Sequence, residues 1–416
     1  MNLLTWLFLA ALLTSSALRA WLAWRQLRHV QVHRAEVPTA FATEIGLAAH
    51  QKAADYTLAK TRLGLVNLGL DLILVLAWTL GGGLGLLDTF WRHLTPGPLT
   101  LGVLVIACYA LISGLIGLPL SIWSTFVTEA HFGFNRTGVK TFVLDIVKML
   151  LLAAILGAPL LYAALWLMQE SGGLWWLYVW LLWMGFSLAI TWAWPVFIAP
   201  LFNRFSPLGD ESLKQRIETL LRRCGFTSRG VFVMDGSSRS AHGNAYFTGF
   251  GNNKRIVFFD TLMEKLAPEE IEAVLAHELG HFRLHHVIQR LIVTAMLSLA
   301  GLGLLGWLAA KPWFYTGMGV PQASSYMALL LFMLLLPPFL FLLEPVMSAW
   351  SRKHEFQADA YATRQTDAAA LIRALVKLYR DNASTLTPDP LYSLFNDSHP
   401  PASVRIARLQ IMTSAS

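Results

Sequence analysis

The chain has 416 residues, of which 55% are hydrophobic and only 14% are charged, and its mean hydropathy is +0.52. Because about a quarter of the residues in a typical soluble domain are charged, this composition excludes an ordinary soluble domain and predicts a membrane protein. The net charge of +7 comes without a long basic run, which argues against a nucleic-acid partner. Cys108 and Cys224 are far apart and neither has a CxxC partner, so no disulfide framework is predicted.

Seven mostly apolar runs are each long enough to cross a bilayer. In chain order they are residues 3–24, 63–87, 99–125, 147–168, 174–197, 287–310 and 326–350. The first run lacks a basic start, and Arg19, Arg25 and Arg28 follow its apolar part, so we interpret it as an uncleaved span and not as a signal peptide. No internal repeat is visible, which argues against an inverted-repeat transporter. The predicted fold class is a mainly α, polytopic membrane protein with seven transmembrane helices.

Basic residues are concentrated between the first two spans. This connection contains Arg25, Arg28, Arg34, Lys52, Lys60 and Arg62. The next connection contains only Arg92. Since cytoplasmic loops are enriched in Lys and Arg, we expect an external N-terminus and a cytoplasmic location for segment 198–286 and for the tail after Trp350. The membrane would be the inner membrane of a bacterium or the endoplasmic reticulum of a eukaryote.

The only long polar connection reads as a small α+β unit. Its pattern predicts a helix over 211–223, strands over 231–235, 244–250 and 255–260 with a turn at 251–254, and a helix from Ala267-Pro268-Glu269-Glu270 through His281. We therefore expect four regions. They are 1–197 with spans one to five, 198–286 with the protease segment, 287–350 with spans six and seven, and 351–416 with a C-terminal catalytic segment.

The helix that ends this segment contains His277-Glu278-Leu279-Gly280-His281. At 3.6 residues per turn, His277 and His281 lie on one face and can bind one metal ion. Glu278 is one step round the helix, where it can take a proton from a metal-bound water. The motif predicts a zinc metalloprotease that needs no covalent acyl-enzyme.

A catalytic zinc usually takes three protein ligands and leaves a fourth position for water. The best source of the third ligand is the segment 351–361, which follows the seventh span directly. Glu355 and Asp359 are one helical turn apart, so one can bind the metal while the other orients a histidine ligand. Considered alone, this pair beside Arg352 and Lys353 is typical of a solvated helix face, but the need for a third ligand favours a metal site.

Several stretches, in order along nearly the whole chain, are similar to a known family. They are Tyr56-Thr-Leu-Ala-Lys-Thr-Arg62, 131–136, 200–205, 244–262, the His277–His281 motif, 355–360 and His399-Pro-Pro401. In these stretches the chain resembles the seven-span zinc CAAX prenyl endopeptidases, which are related to smaller heat-shock membrane proteases. The resemblance implies one Zn²⁺ per chain, spans that enclose a chamber with the metal at its cytoplasmic end, and prenylated CAAX proteins or peptides as substrates.

The resemblance also implies roles for individual residues. Glu355 would be the third zinc ligand, and Asp359 would assist catalysis. His399 and Arg405 would support the transition state, and Asn244 would contact the substrate backbone. Residues 402–404, Ala-Ser-Val, replace a stretch that is often more hydrophobic and acidic in the family, and this departure bears on the placement of Arg405. Without the resemblance, Arg405 would read as part of an exposed helix face and His399 as the start of a Pro-Pro turn.

Asn244 begins a strand whose partner is predicted to be 255–260, so its other side can pair with an extended peptide. An ordinary turn asparagine is the alternative interpretation. His242, His285 and His286 are interpreted as interfacial, because His285 is roughly 12 Å beyond His277 along a straight helix and is too far to bind the same ion. Glu344, near the end of the seventh span, either lines a wet cavity or reaches the interface.

Two alternatives to a prenyl-specific protease stay open. The first is a membrane protease for quality control that needs no prenyl group. The second, from another class, is a channel, transporter or scaffold with a structural zinc, against which stand Glu278 and the shortage of charged residues within the spans. The expected partners are a peptide or protein substrate and the lipid bilayer.

Overall fold

The computed structural model describes residues 1–94, 97–226, 230–248 and 255–414. Seven of its helical segments are long and apolar enough to cross a membrane, which confirms the predicted number. They are Leu3–Ala35, Leu47–Trp78, Pro98–Glu129, Val139–Glu170, Gly172–Leu201, His286–Ala309 and Ser325–Gln365. The other helices are α1 (Gly83–Arg92), α2 (Glu211–Arg223), α3 (Asp260–Met263), α4 (Pro268–Arg283), α5 (Pro312–Thr316), α6 (Ala368–Asp381), α7 (Pro390–Asn396) and α8 (Ala402–Ser414).

The predicted bounds of the second span were wrong at both ends. Its helix begins at Leu47, well before residue 63. Lys52 and Lys60 end the apolar stretch, but lysine is a good helix former, so the helix includes both residues. The helix ends at Trp78, before residue 87, and the chain then turns through Gly82, whose φ of 79° is one that a glycine adopts without strain. The second helix therefore extends beyond its apolar stretch on the side that carries the basic residues.

The helix of the seventh span continues past the predicted end at residue 350. It runs over Ser325–Leu340, tightens into a short 3₁₀ turn at Phe341–Leu343, and continues over Glu344–Gln365. Glu344 at the start of the last part forms an ion pair with Arg19 of the first span. The segment expected to supply the third metal ligand is thus a direct extension of a membrane-spanning helix.

The spans form a closed ring, because each packs against the next in chain order and the seventh packs against the first. One end of this ring is filled by a buried apolar cluster to which every span contributes. Its members include Phe8, Trp78, Leu101, Leu165, Leu305 and Met327, with Trp175 packed against them. Outside this cluster, few residues of the spans are buried inside the protein. In the second, fourth and sixth spans, only 6% of the most apolar stretch is buried. Helices that face lipid or an interior space bury little of their surface in this way, and the enclosed chamber stays a prediction.

The polar segment lies at the other end of the ring and contains a four-stranded sheet. The strands are β1 (Phe205–Pro207), β2 (Val231–Met234), β3 (Ala245–Thr248) and β4 (Arg255–Phe259), in the order β1-β2-β4-β3. β2 and β4 are parallel, and the other two pairs are antiparallel. The three predicted strands are confirmed, whereas β1 was not predicted because three residues ending in proline give no alternating pattern. The predicted turn at 251–254 lies outside the described residues.

A second core joins this sheet to the helices around it. Ile217 of α2, Phe258 of β4, Leu279 of α4, Ala362 of the seventh helix and Leu371 of α6 are all nearly inaccessible to water. Helix α4 therefore lies between the sheet and the extension of the seventh span, and both predicted helices of the segment, α2 and α4, are confirmed.

Helix α4 and the seventh helix approach so closely that a Cβ atom on Gly280 would lie 3.0 Å from Ala358 Cα and 3.2 Å from Tyr361 Cβ. At Gly301, in the sixth span, the nearest atom would be Phe332 Cζ at 3.8 Å, which is an ordinary contact. Both glycines are helical, so an alanine gains about 1 kcal/mol of helix propensity at either position.

We predict that Gly280→Ala is less stable than Gly301→Ala by about 1 to 3 kcal/mol, the typical cost of overpacking. The measurement is thermal unfolding of the two detergent-solubilised variants. Equal unfolding temperatures would contradict the close approach of the two helices.

Candidate metal centre

Two histidines of α4 face the seventh helix. The helix begins with Pro268, whose missing N–H is not needed in the first turn, and Glu269 and Glu270 lie near its positive end. The side chain of Glu270 also accepts a hydrogen bond from the Ala267 N–H at 2.8 Å. This capping fixes the start of the helix, and its periodicity then sets His277 and His281 on the buried face.

Three donor atoms converge between the two helices. His277 Nε2 and His281 Nε2 are 3.3 Å apart, and each lies 3.4 Å from a carboxylate oxygen of Glu355. Glu355 Oε2 is buried and has no hydrogen-bond partner among the described residues. Two imidazole nitrogens and an unsatisfied carboxylate oxygen at these separations form a set that can hold a metal ion.

Asp359 lies behind His277, on the side away from the other donors. His277 Nδ1 donates to Asp359 Oδ1 at 2.9 Å, which leaves the Nε2 lone pair directed at Glu355 and His281. Burial alone would lower the pKa of His277, but the nearby carboxylates of Asp359 and Glu355 raise it to about 9. Of the two roles left open by the sequence, the geometry favours Glu355 as ligand and Asp359 as the group that orients His277.

Arg405 completes this arrangement from α8. Its Nε donates to Asp359 Oδ2 at 2.9 Å, and a terminal nitrogen lies 3.7 Å from Glu355 Oε2. Burial would lower the pKa of Arg405, but its pairing with Asp359 raises it. Only 5% of Arg405 is exposed, so the alternative of a solvated helix face is wrong for this residue.

His281 has a partner that the sequence interpretation missed. His281 Nδ1 and His286 Nδ1 are 3.0 Å apart, and His286 Nε2 lies 3.0 Å from Gln357 Oε1. Because the Gln357 oxygen can only accept, His286 donates through Nε2 and accepts from His281 through Nδ1, which leaves His281 Nε2 free for the metal. His286 is 1% exposed and stacks on His354 at 3.9 Å, so it belongs to the buried network beside the metal centre, which its interpretation as interfacial did not include.

A turn between two helices explains this miss. Extrapolation along a straight helix carries His285 and His286 away from His277, but α4 ends at Arg283. The next helix begins after His285, whose φ of 58° redirects the chain and returns His286 toward His281. His285 itself is exposed and does not line the metal centre.

A cleft of about 520 Å³ opens onto the metal centre, and Glu278, His399, Asn244 and Arg405 all line it. Glu278 is partly buried, and no described residue forms a hydrogen bond or ion pair with its carboxylate. His399 Nε2 lies 3.5 Å from Glu355 Oε1, and partial desolvation in the cleft lowers the pKa of His399. The cleft therefore contains the free carboxylate of Glu278 and the imidazole of His399, which is mainly neutral at neutral pH.

Asn244 lies at the wall of the cleft, immediately before β3. Its Oδ1 accepts from the Ala245 N–H at 2.8 Å, and its side chain is otherwise exposed. The predicted pairing of this strand with residues 255–260 is confirmed, and β3 is an edge strand of the described sheet. Contact between Asn244 and a substrate stays a prediction.

We predict that Arg405→Met lowers the free energy of unfolding by about 3 to 5 kcal/mol, because it leaves Asp359 buried without its cationic partner. The measurement is thermal unfolding of the detergent-solubilised protein. The matched control is Arg408→Met on the same helix, where the exposed guanidinium lies over the Phe356 ring at 4.5 Å. Equal destabilisation by the two substitutions would contradict the buried pairing.

Comparisons with known proteins identify the family of the chain. Residues 26–204 match a family model described as "CAAX prenyl protease N-terminal, five membrane helices", and residues 207–413 match the model for peptidase family M48. CAAX prenyl protease 1 of Saccharomyces cerevisiae is 39% identical and is aligned over 73% of this chain and 70% of its own length. The homolog from Caenorhabditis elegans is 31% identical over 97% of both chains.

The crystal structure of S. mikatae Ste24p is similar with a TM-score of 0.90 and 32% identity, and the match covers 98% of this chain and 99% of that chain. The two family models therefore cover both halves of the chain, and the solved structure matches its complete architecture. The chain belongs to peptidase family M48, as a multi-pass membrane metalloprotease of the CAAX prenyl protease type.

Proposed function

We propose that the chain is a zinc endopeptidase that cleaves prenylated CAAX proteins or peptides near the C-terminus. The observation that carries the choice of metal is the meeting of His277 Nε2, His281 Nε2 and Glu355: the two nitrogens are 3.3 Å apart, and each lies 3.4 Å from a different carboxylate oxygen of Glu355. Bonds of about 2.0 to 2.1 Å to a tetrahedral zinc place neighbouring ligand atoms about 3.3 to 3.4 Å apart. The residues present therefore fit zinc with one position left open.

Zinc bound by these residues supplies a Lewis acid that lowers the pKa of water to about 7 and polarises a peptide carbonyl. Glu278 accepts the proton of the attacking water, because its carboxylate is unpaired and faces the cleft. It then returns this proton to the leaving amine. His399 donates an N–H toward the carbonyl oxygen as negative charge develops there.

Arg405 and Asp359 act through other residues in this proposal. The guanidinium is engaged by Asp359, and Asp359 in turn holds His277, so both serve to position a metal ligand. Asn244 and the edge of β3 hold the substrate backbone as an added strand.

The relatives support the substrate class, since proteins named CAAX prenyl protease 1 match this chain from yeast to human. The ring of spans adds a physical reason, because the predicted chamber inside it can receive a lipid chain beside the metal centre. Membership of a peptidase family argues against the channel, transporter or scaffold alternative. We further propose that the metal centre faces the cytoplasm, because Arg28, Arg34 and Lys52 lie at its end of the ring.

The first test of this function is Glu278→Gln. We predict that this variant keeps bound zinc but loses cleavage of a farnesylated CAAX peptide by about 10²- to 10⁴-fold, the usual contribution of a general base. The measurement is peptide cleavage together with zinc content. Glu272→Gln, on the same helix and paired with Arg216 at its surface, should keep both.

The same assay includes the unprenylated peptide and a loosely folded protein as substrates. Preference for the farnesylated peptide is the expected result. Equal cleavage with and without farnesyl would favour a general quality-control protease, and unchanged cleavage by Glu278→Gln would contradict the mechanism.

The second test concerns the partner of His281. We predict that His286→Ala weakens zinc binding by about 10- to 100-fold, because His281 loses the acceptor that fixes its ring. The measurement is zinc retention against a competing chelator. His285→Asn is the control, since the neighbouring side chain is exposed and asparagine tolerates a positive φ; equal zinc affinity of the two variants would sink this role.

A further inference from the structure

A second cavity of about 470 Å³ adjoins the active-site cleft. Five residues line both spaces, namely Asn382, Ser384, Thr385, Pro388 and Asp397. The far wall of the second cavity comes from the second span, through Tyr56, Thr57, Lys60 and Thr61. The two spaces are therefore neighbours, and we expect a chain bound at the metal centre to extend toward the second.

Lys60 is the cation in the wall of the second cavity. Its Nζ lies 5.0 Å from the centre of the Tyr56 ring, and no described acidic side chain forms an ion pair with it. Glu129 is close to this wall but does not line the cavity, since it accepts a hydrogen bond from the Tyr56 hydroxyl at 2.5 Å and lies 3.3 Å from His242 Nε2. Lys60 is exposed and its ammonium is therefore available to an anion that enters the cavity.

Asp397 also lines the second cavity. Burial raises the pKa of its carboxyl group. Thr57 adds a hydroxyl on the same helix face as Lys60, whereas the Thr61 hydroxyl donates to the Thr57 carbonyl oxygen at 2.8 Å. An ammonium beside a hydroxyl is a pair of donors that suits a carboxylate.

The edge strand gives the direction of a bound peptide. A peptide that adds to β3 in antiparallel orientation, the more stable of the two pairings, runs its C-terminal end toward Asn244 and Gly243. There Asn382 Oδ1 accepts from the Gly243 N–H at 3.0 Å, and Asn382 and His242 both belong to the wall of the second cavity. The C-terminal side of the substrate therefore enters the cavity that contains Lys60.

We propose that Lys60, with Thr57, forms a subsite for the free α-carboxylate at the C-terminus of the substrate. This inference rests on the proposed function, in which the cleaved bond lies near that C-terminus. An extended chain spans about 3.3 Å per residue, so a carboxylate a few residues beyond the cleaved bond lies about 10 Å from it. A fixed anchor for it explains why cleavage occurs close to the chain end.

The test uses binding, so that it does not depend on turnover. In the Glu278→Gln background, the affinities of a fluorescent farnesylated CAAX peptide with a free C-terminal carboxylate and of the same peptide as a C-terminal amide are compared by anisotropy. We expect the acid to bind about tenfold more tightly than the amide, the equivalent of one charge-assisted contact. Lys60→Met should remove this preference, and Lys60→Arg should retain it.

Two further variants serve as controls. Lys52→Met changes a cation on the same helix that lines a different cavity, and it should keep the preference. Arg290→Met changes the cation on the opposite side of the metal centre, in a cavity of about 270 Å³, and it should also keep it. Zinc content and thermal unfolding of each variant show that it is folded.

Equal binding of acid and amide by the parent protein would overturn the proposal, as would a preference that survives Lys60→Met or that disappears with Arg290→Met. The two peptides without farnesyl separate this inference from the proposed function. A preference for the acid that persists when farnesyl gives no gain in affinity supports the subsite while contradicting the prenyl specificity.

Discussion

The close approach of two helices governs the metal centre. His277 and His281 come from α4, whereas Glu355 comes from the extension of the seventh span, and their ligand atoms lie within 4.8 Å of one another. That separation is reached because Gly280 lets α4 lie directly against Ala358. The same contact ties the protease segment to the ring of spans, so the position of the membrane helices and the geometry of the metal centre depend on each other.

Buried charge is tolerated around the metal centre because Asp359, Arg405 and both histidines have partners. Asp359 holds His277 and is itself held by Arg405, while His286 and Gln357 hold His281. The two networks fix the ring orientation of both histidines before any ion binds, and they leave Glu355 Oε2 as the buried oxygen still lacking a partner. An arrangement of this kind is prepared to receive a cation and would be unfavourable without one.

Local sequence periodicity predicted much of this molecule. The spacing of His277 and His281 and that of Glu355 and Asp359 follow from the helical repeat, and seven apolar runs gave the seven spans. What could not be predicted depends on tertiary packing. Hydropathy does not predict the start of the second span, because its helix extends beyond the apolar stretch. A straight helix does not predict the turn at His285 or the return of His286 to the site.

A sequence motif predicts which residues lie close together, but it does not predict how their side chains are oriented. Arg405 illustrates this, since its guanidinium faces Asp359 and the metal ligands, whereas the resemblance placed it at the transition state. Roles of this kind follow from distances and partners, which the sequence does not contain.

The most direct measurement is anomalous scattering from crystals of the protein at the zinc absorption edge. The account predicts one ion per chain, bonded at about 2.0 to 2.2 Å to His277 Nε2, His281 Nε2 and a carboxylate oxygen of Glu355. Asp359 would remain on His277 Nδ1. An ion bound by Asp359 in place of Glu355, or one located away from these three residues, would contradict it.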